Sequence, residues 1–573
     1  MAKKKYILIF LPLVLIIVYL FLSINHETNI KGNDDLNSCK YPNVNVILIV
    51  IDTLRADHLG CYGYSRNTSP EIDKLSKEGI IFKNMVAQSS WTKPSTASIL
   101  SGLYPKNHGA MTGKGRLPEE IHLLSEILRG YGYHSYAFVG NIHVSQAAGF
   151  NQGFKEFFYF QEKDVKVVPN IFVRSDELNN SLASFIRQLD DTSNNFIYIH
   201  YMDPHHPYLP KEKHFSKENK KRFTNAFSLP KAISSMNEEE RRILLIEAIN
   251  AYDDEILYND KMIGNMVRML KKKNMYSNSI IIITSDHGEE FFEHGNFTHG
   301  KSLYDEQLKV PLIIHMPGKT HKTINEIANQ VDILPTILSL LEIPIPKNID
   351  GIDLLNNKRT PNLASYAELS INQLTISSIR TSKYKLIEGV TFPFDRKKKN
   401  HRWFKERALI ETNDDSLELV IKSFYKNRKV RVLSDGIPID TFTINTKKQV
   451  FNIRLPDSKR KKMVAIESLT PCHVPRQLKI SNDKRCLAFC IFNSRNVNAK
   501  SLLSARYLEY YTLTEDPGEK NNRYYHPESR EIITLLKKNL KKYLLDKKSA
   551  SLSKKPVKFS KEQIKTLKTL GYM

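Results

Sequence analysis

Cysteine is scarce in this chain: Cys39, Cys61, Cys472, Cys486 and Cys490 are the five among 573 residues. None has the paired spacing of a zinc ribbon, and five thiols are few for an exported chain of this size. Cys61, in the Gly60-Cys61-Tyr62-Gly63 turn, reads as packed, and a pairing of Cys472 with Cys486 or Cys490 stays open. Acidic side chains are also short, 61 against 85 Lys and Arg, which leaves a formal charge of +24. The basic runs Arg396-Lys397-Lys398-Lys399 and Lys459-Arg460-Lys461-Lys462 come with no nucleic-acid-binding signature. We read a solvated basic surface, with anionic polymers or lipid headgroups as the lesser attraction, and no nucleic-acid partner. Charge is missing altogether from Tyr6 to Ile24, about nineteen residues, enough to cross ~30 Å of hydrocarbon. Lys3, Lys4 and Lys5 in front favour a cytoplasmic N-terminus and an exported remainder. The run is longer than the ~7–15 residues of a signal-peptide core, and no small-x-small cleavage site follows, so an uncleaved anchor is expected over 1–24 and a polar tether over 25–43.

What is present is an ample core, with 41% apolar and 10% aromatic residues and a length that allows two to four domains. From residue 44 to about 345 strands and helices alternate, which predicts an α/β fold with a large sheet covered by helices on both faces. Val46-Ile47-Leu48-Ile49-Val50-Ile51-Asp52 is an apolar run ending in a carboxylate, as a buried parallel strand delivers an acid to its C-terminal edge. Ser279 to Ser285 repeats the device and ends in Asp286-His287. Between them, Ser89 to Gly102 is a small-residue turn running into an apolar helix, which places Thr92 just before a helix N-terminus. A lone Thr there is usually an N-cap. Two strand tips bearing metal-binding side chains make it a candidate nucleophile, since a neutral hydroxyl needs a metal or base to attack.

Several further motifs keep order with these: Asp52-Thr53-Leu54-Arg55-Ala56-Asp57-His58, Thr92-Lys93-Pro94-Ser95-Thr96, Gly140-Asn141-Ile142-His143, Asp203-Pro204-His205-His206-Pro207, Asp286-His287-Gly288-Glu289 and His299-Gly300. Val331-Asp332-Ile333-Leu334-Pro335-Thr336, Glu515-Asp516-Pro517-Gly518-Glu519 and Leu570-Gly571-Tyr572 complete the set. Together they resemble the sulfatase family of the alkaline-phosphatase superfamily. The resemblance implies a large mixed sheet sandwiched by helices over 44–360, and a smaller C-terminal antiparallel-sheet subdomain over 361–390 and 501–573. Short alternating strands between 391 and 500 predict a β-rich insertion, sandwich-like, outside the motifs.

The departures from the family pattern fall on reactive positions. Sulfatases carry Cys or Ser where this chain has Thr92, with an Arg four residues on, and convert it to formylglycine. Thr92 cannot give that aldehyde, and Thr96 replaces the Arg. Thr53 and His287 stand where sulfatases tend to have Asp and Asn, which favours Zn²⁺ or Mn²⁺ over Ca²⁺. The substituted pattern resembles the superfamily's phosphoryl branch, phosphoethanolamine and glycerophosphate transferases among them, in which a metal-bound Thr attacks phosphorus.

The resemblance thus implies one divalent ion held by Asp52, Thr92, Asp286 and His287, with Thr92 as nucleophile. Asn141, where sulfatases have Lys, and His143 would contact the ester anion, and His205 and His299 would surround the reacting group. A second ion on Asp203, His205 or His206, and His299 is an alternative. Glu289, Glu293 and His294 read by default as a solvated rim. The expected function is hydrolysis or transfer of phosphate esters of envelope or extracellular glycans or lipid headgroups. That activity is expected on a single-pass membrane protein facing the periplasm or exterior. Sulfate ester hydrolysis without formylglycine, and non-catalytic binding of anionic glycans, are the alternatives.

Overall fold

Seven residues from Asn45 to Ile51 (β1), NVILIVI, are buried on both faces, and β-branched side chains at nearly every position fit a central parallel strand. β1 lies between two parallel neighbours, Asn195–Tyr201 (β5) and Ser279–Ser285 (β6), with Ile51 opposite both Tyr201 and Ser285. Gly79–Val86 (β2), His134–Val139 (β3), Glu156–Tyr159 (β4) and Lys322–Asn329 run the same way. The sheet order is Lys322–Asn329, β2, Leu312–His315, β6, β1, β5, β3, β4, with Lys309–Val310 pairing β2 off this path. Leu312–His315 runs antiparallel to both its neighbours, so the sheet is mixed.

This computed structural model describes residues 41–546 apart from 42, 114, 161–172, 190–192, 218–235, 319–320, 357–363, 372–373, 392–400, 405–406, 435–436, 457–461, 470–488, 493, 495–496, 498–503 and 525. The anchor and tether expected over 1–43 lie almost wholly outside the described residues, as do Cys472, Cys486 and Leu570-Gly571-Tyr572. Among the described residues no helix is long and apolar enough to cross a membrane. Nearly all described residues belong to one unit, Tyr41–Leu354 with Thr360–Met573.

One face of the sheet is covered by the 35-residue helix Glu238–Lys272, opened by an Asn237–Glu240 capping box, and by Ser175–Gln188. Their apolar stripes bury Leu182, Ile186, Ile256, Ile263 and Met266 against Ile47, Ile49 and Ile197. The helix Thr92–Ser101 is buried at every position and ends on Gly102 at φ 67°, a left-handed cap that suits glycine.

A second sheet, antiparallel, has the order Ser365–Ile371, Leu374–Arg380, Tyr384–Thr391, Ser504–Thr512. Helix Arg530–Leu545 packs on it through Ile533, Leu536 and Leu540 against Ile379, Leu386 and Tyr510. Between its third and fourth strands the chain builds two four-stranded antiparallel sheets, from His401–Phe404 to Phe489–Phe492. Strand Ser416–Ser423 alternates buried and more exposed residues, and Leu419 and Ile421 share one core with Val430, Val432 and Ile466 of the opposing sheet. The result is a sandwich.

Candidate active site

β1, β3, β5 and β6 end at one edge of the sheet, where the chain sets down Asp52, Asn141, His200 and Asp286-His287. All five are buried. The ligand atoms of Asp52, Asp286 and His287 lie within 4.8 Å of one another. His287 Nδ1 sits 2.9 Å from the Gly288 carbonyl, an acceptor only, so Nδ1 carries the proton and Nε2 offers its lone pair. That Nε2 is 3.4 Å from Asp286 Oδ2 and 3.8 Å from Asp52 Oδ1. Neither of these two carboxylate oxygens accepts a hydrogen bond.

Two orphaned carboxylate oxygens and an imidazole lone pair around one point fit a divalent cation of mixed oxygen and nitrogen preference. Burial, and then the charge of Asp52, pushes the Asp286 carboxyl up. Burial also opposes ionisation of Asp52, yet the fields of His205, His287 and His200 and the hydrogen bond from His200 hold its carboxyl well below the usual range. Two acids this close repel one another, and a cation between them would relieve that repulsion.

Thr92 is the first residue of its helix and Trp91 the N-cap, one position from where the sequence put the boundary. Its hydroxyl does not cap that helix. Oγ1 lies 3.4 Å from His287 Nε2 and 3.5 Å from Asn141 Nδ2. The same amide nitrogen donates to Asp52 Oδ2 at 2.5 Å, while Asn141 Oδ1 accepts from the His143 backbone N–H. Asn141 therefore ties the acid, the hydroxyl and the His143 turn together. Thr53, beside Asp52, takes φ 58°, a left-handed conformation costly for a β-branched residue. Its N–H donates to Asp286 Oδ1 and its carbonyl accepts from the Tyr252 hydroxyl.

Three further imidazoles line the remaining side. The His299 ring centroid is 4.4 Å from that of His287 and 4.9 Å from that of His205, and His143 meets Trp91 edge-on at 5.4 Å. Burial pulls all three of His143, His205 and His299 down, His205 to about 4. Asp203 does not join them: Arg174 pairs with its Oδ1 at 2.9 Å and Ser175 donates twice to its Oδ2. The second-ion set built on Asp203 is thereby corrected, because that carboxylate is spent anchoring the 203–208 loop.

The rim reading of Glu289 is corrected as well, while Glu293 and His294 are partly exposed. Glu289 is fully buried, 2.9 Å from His299 Nδ1, and accepts from the Tyr208 hydroxyl at 3.0 Å. Glu293 pairs with Arg55, and His294 stacks on Tyr304 and meets Glu306. Sequence reasoning also passed over His200, whose Nε2 is 3.2 Å from Asp52 Oδ2 and whose Nδ1 meets the Tyr198 hydroxyl at 2.8 Å. The signal was a lone histidine inside an otherwise apolar buried strand. Lys93 is a third: its buried ammonium donates to the carbonyls of Thr112, Gly113 and Gly115, with burial pulling it down to about 7. Cys61 is inert, its thiol pushed up to about 12 by burial and then Asp73.

Comparison with known proteins agrees with this edge. Residues 292–398 match the model described as N-sulphoglucosamine sulphohydrolase, C-terminal. N-acetylgalactosamine-6-sulfatase of Sus scrofa is 27% identical over 54% of this chain and 65% of its own length, so the chain spans just under two thirds of that relative. An ulvan-active sulfatase of Formosa agariphila is 25% identical over 67% of this chain and 80% of its own. The crystal structure of a phosphonate monoester hydrolase of Agrobacterium radiobacter superposes with a TM-score of 0.55 at 17% identity, covering 88% of this chain and 96% of the other. That likeness is one of fold. Residues 44–343, just over half the chain, match the sulfatase model itself, and with the acid pair, the imidazoles and the helix-borne Thr92 at one sheet edge, the chain belongs to the sulfatase family and is an ester-hydrolysing enzyme.

Proposed function

We propose that this enzyme cleaves or transfers a phosphate ester by attack of Thr92 Oγ1 on the tetrahedral centre. The supporting observation is the 3.4 Å approach of that oxygen to His287 Nε2, the nitrogen turned toward the acid pair. Asp52, Asp286 and His287 would hold a divalent ion beside Thr92, Zn²⁺ or Mn²⁺ in preference to Ca²⁺ because one ligand is imidazole. Such an ion, when bound, lowers the pKa of a hydroxyl and neutralises charge gathering on the ester oxygens. Asn141 orients the Thr92 oxygen by donating to it, and holds Asp52 in place. His143, neutral and buried, contacts the ester oxygens as a hydrogen-bond partner. His205 and His299 stand at the reacting group, with His205 nearer the leaving oxygen.

Substrates are anionic esters of glycans or lipid headgroups, met outside the cytoplasm by a chain tethered through residues 6–24. Sulfate esters are the second reading, favoured by the sulfated-glycan relatives, whose substrates share the tetrahedral anionic shape. Purified protein assayed on aryl phosphodiesters, phosphomonoesters and sulfates, with Mn²⁺, Zn²⁺ and Ca²⁺ in turn, separates the two. Faster turnover of a sulfate than of either phosphate ester would reverse the preference stated here.

A further inference from the structure

A cleft of about 490 Å³ opens between the β2 edge of the first sheet and the C-terminal sheet, and none of Asp52, Thr92, Asp286 or His287 lines it. Its size falls within the ~300–1,000 Å³ of clefts that hold ligands. The carboxylates on its walls are already matched. Arg55 pairs with Asp57 and Glu293, Arg380 and Lys385 pair with Asp305, and His294 meets Glu306 at 2.6 Å. Left over on the lining are three ammoniums, of Lys83, Lys309 and Lys520, and among the described residues none of the three is in an ion pair. Two of them are held in place by carbonyls. Lys83 Nζ donates to the Cys61 carbonyl at 2.6 Å and lies 5.0 Å over the Tyr62 ring, and Lys520 Nζ donates to the Glu293 carbonyl. An ammonium has three N–H donors, so each keeps two beyond that bond. Lys309 stands opposite Val86 on the strand beside β2.

The cleft backs onto the ester site. Gly288, next to His287, is pressed between two lining residues: a Cβ there would fall 2.1 Å from the Glu306 carbonyl oxygen and 3.3 Å from Arg55 Cγ. Arg55 also donates to the Glu289 carbonyl at 3.0 Å.

We propose that this cleft is a second anion site, in which Lys83, Lys309 and Lys520 take a tetrahedral oxyanion, phosphate or sulfate. The pairing fixes the sign of the ligand. A cation meets only carboxylates already engaged, while an oxyanion meets three ammoniums whose field a cleft concentrates. Ammoniums anchored on carbonyls also lose less freedom on binding than unanchored surface lysines. Two sources carry such a group: the free inorganic ion, and a neighbouring ester unit along a polyanionic chain. The site does not depend on the chemistry read at Thr92.

Equilibrium dialysis of ³²P-labelled inorganic phosphate against the full chain, stripped of divalent ions, tests this without turnover. Wild type binds phosphate saturably, and the triple variant Lys83→Met, Lys309→Met, Lys520→Met, which keeps the apolar stems, binds it at least ~10-fold more weakly, as loss of hydrogen bonds to a charged group predicts. The triple Arg variant at the same positions retains the site, and so does His143→Ala, which alters only the ester pocket. Lys520→Met alone, at an exposed position that folding does not depend on, weakens binding at least ~3-fold. No saturable binding by wild type, equal affinity in wild type and the triple Met variant, or loss in His143→Ala with none in the triple variant would each overturn the proposal. Displacement separates the sources. Dextran sulfate that displaces the phosphate at least ~10-fold more effectively per sulfate group than sodium sulfate identifies a polymer unit, through avidity; equal potency per sulfate identifies the free ion.

Discussion

Thr92 Oγ1 and His287 Nε2 lie 3.4 Å apart although 195 residues separate them in sequence. The contact joins two different structural origins: a helix entered from β2 carries the hydroxyl, and the tip of β6 carries the imidazole. With Nδ1 committed to the Gly288 carbonyl, Nε2 is an acceptor facing an oxygen, a geometry that an N-cap has no use for and that an ion between acid pair and hydroxyl would complete.

Thr92→Ala is expected to lose at least ~10³-fold in turnover with little change in melting temperature, equivalent to about 4 kcal/mol of transition-state stabilisation. Thr92→Ser, which keeps the oxygen, should lose far less. Steady-state kinetics on one aryl ester decides it, and an Ala variant within tenfold of wild type removes Thr92 as nucleophile.

Chelation should abolish activity, and Mn²⁺ or Zn²⁺ should restore it better than Ca²⁺. At an ion concentration 100-fold above its dissociation constant the protein should gain about 2.7 kcal/mol, read as a rise in denaturation midpoint. Replacing both unusual positions, Thr53→Asp with His287→Asn, makes the site all-oxygen and should shift the binding preference toward Ca²⁺, as isothermal titration would show. The Thr53 position is strained, so its replacement by Gly should stabilise the metal-free protein by about 1 kcal/mol.

Relative to Glu289→Gln, the metal-free protein should lose stability as pH rises toward neutrality. Burial pushes the Glu289 carboxyl up to about 7, and burial with the Asp52 charge pushes Asp286 up. An acid with a raised folded pKa binds its proton more tightly when folded. Its contribution is therefore full below the ordinary carboxylate range of ~4 and is lost as pH climbs through the raised value. The urea midpoint of the metal-free wild type, taken relative to that of Glu289→Gln, should fall between pH 4.5 and 8.

Lys385 is the centre of a buried ion network linking the catalytic sheet region to the C-terminal sheet. Its ammonium is 2.7 Å from both Asp305 Oδ1 and Glu519 Oε1, and Arg380 also pairs with Asp305. Lys385→Met should cost about 3–5 kcal/mol in chemical denaturation, because it strands a buried carboxylate. Adding Glu519→Leu should return part of that loss.

The strand tips were legible because their signal is local: an apolar run such as Val46–Ile51 has one use in a protein of this size, and whatever follows it emerges at the sheet edge. Asp52, Asp286, His287 and the helix start at Thr92 all follow from such runs, and the strands near 430–433 and 451–455 follow from alternation. Glu289 was not legible. Its neighbours Glu290, Glu293 and His294 give the stretch a solvated composition, and what buries it are Tyr208 and His299, distant in sequence or around a turn. Asp203 fails in the opposite sense: its motif neighbours are histidines, yet Arg174, which no spacing announces, claims its carboxylate.

The pairing of Ile51 with Ser285 has a consequence for how this scaffold can change. Neighbouring strands in any ladder stand about 4.8 Å apart, so the spacing of the two acids at their backbone roots is set by the ladder itself. Thr92 is mounted on a separate helix. Descendants of one ancestor can therefore be refitted with a different reactive oxygen, and so a different chemistry, while the grip stays at a constant gauge.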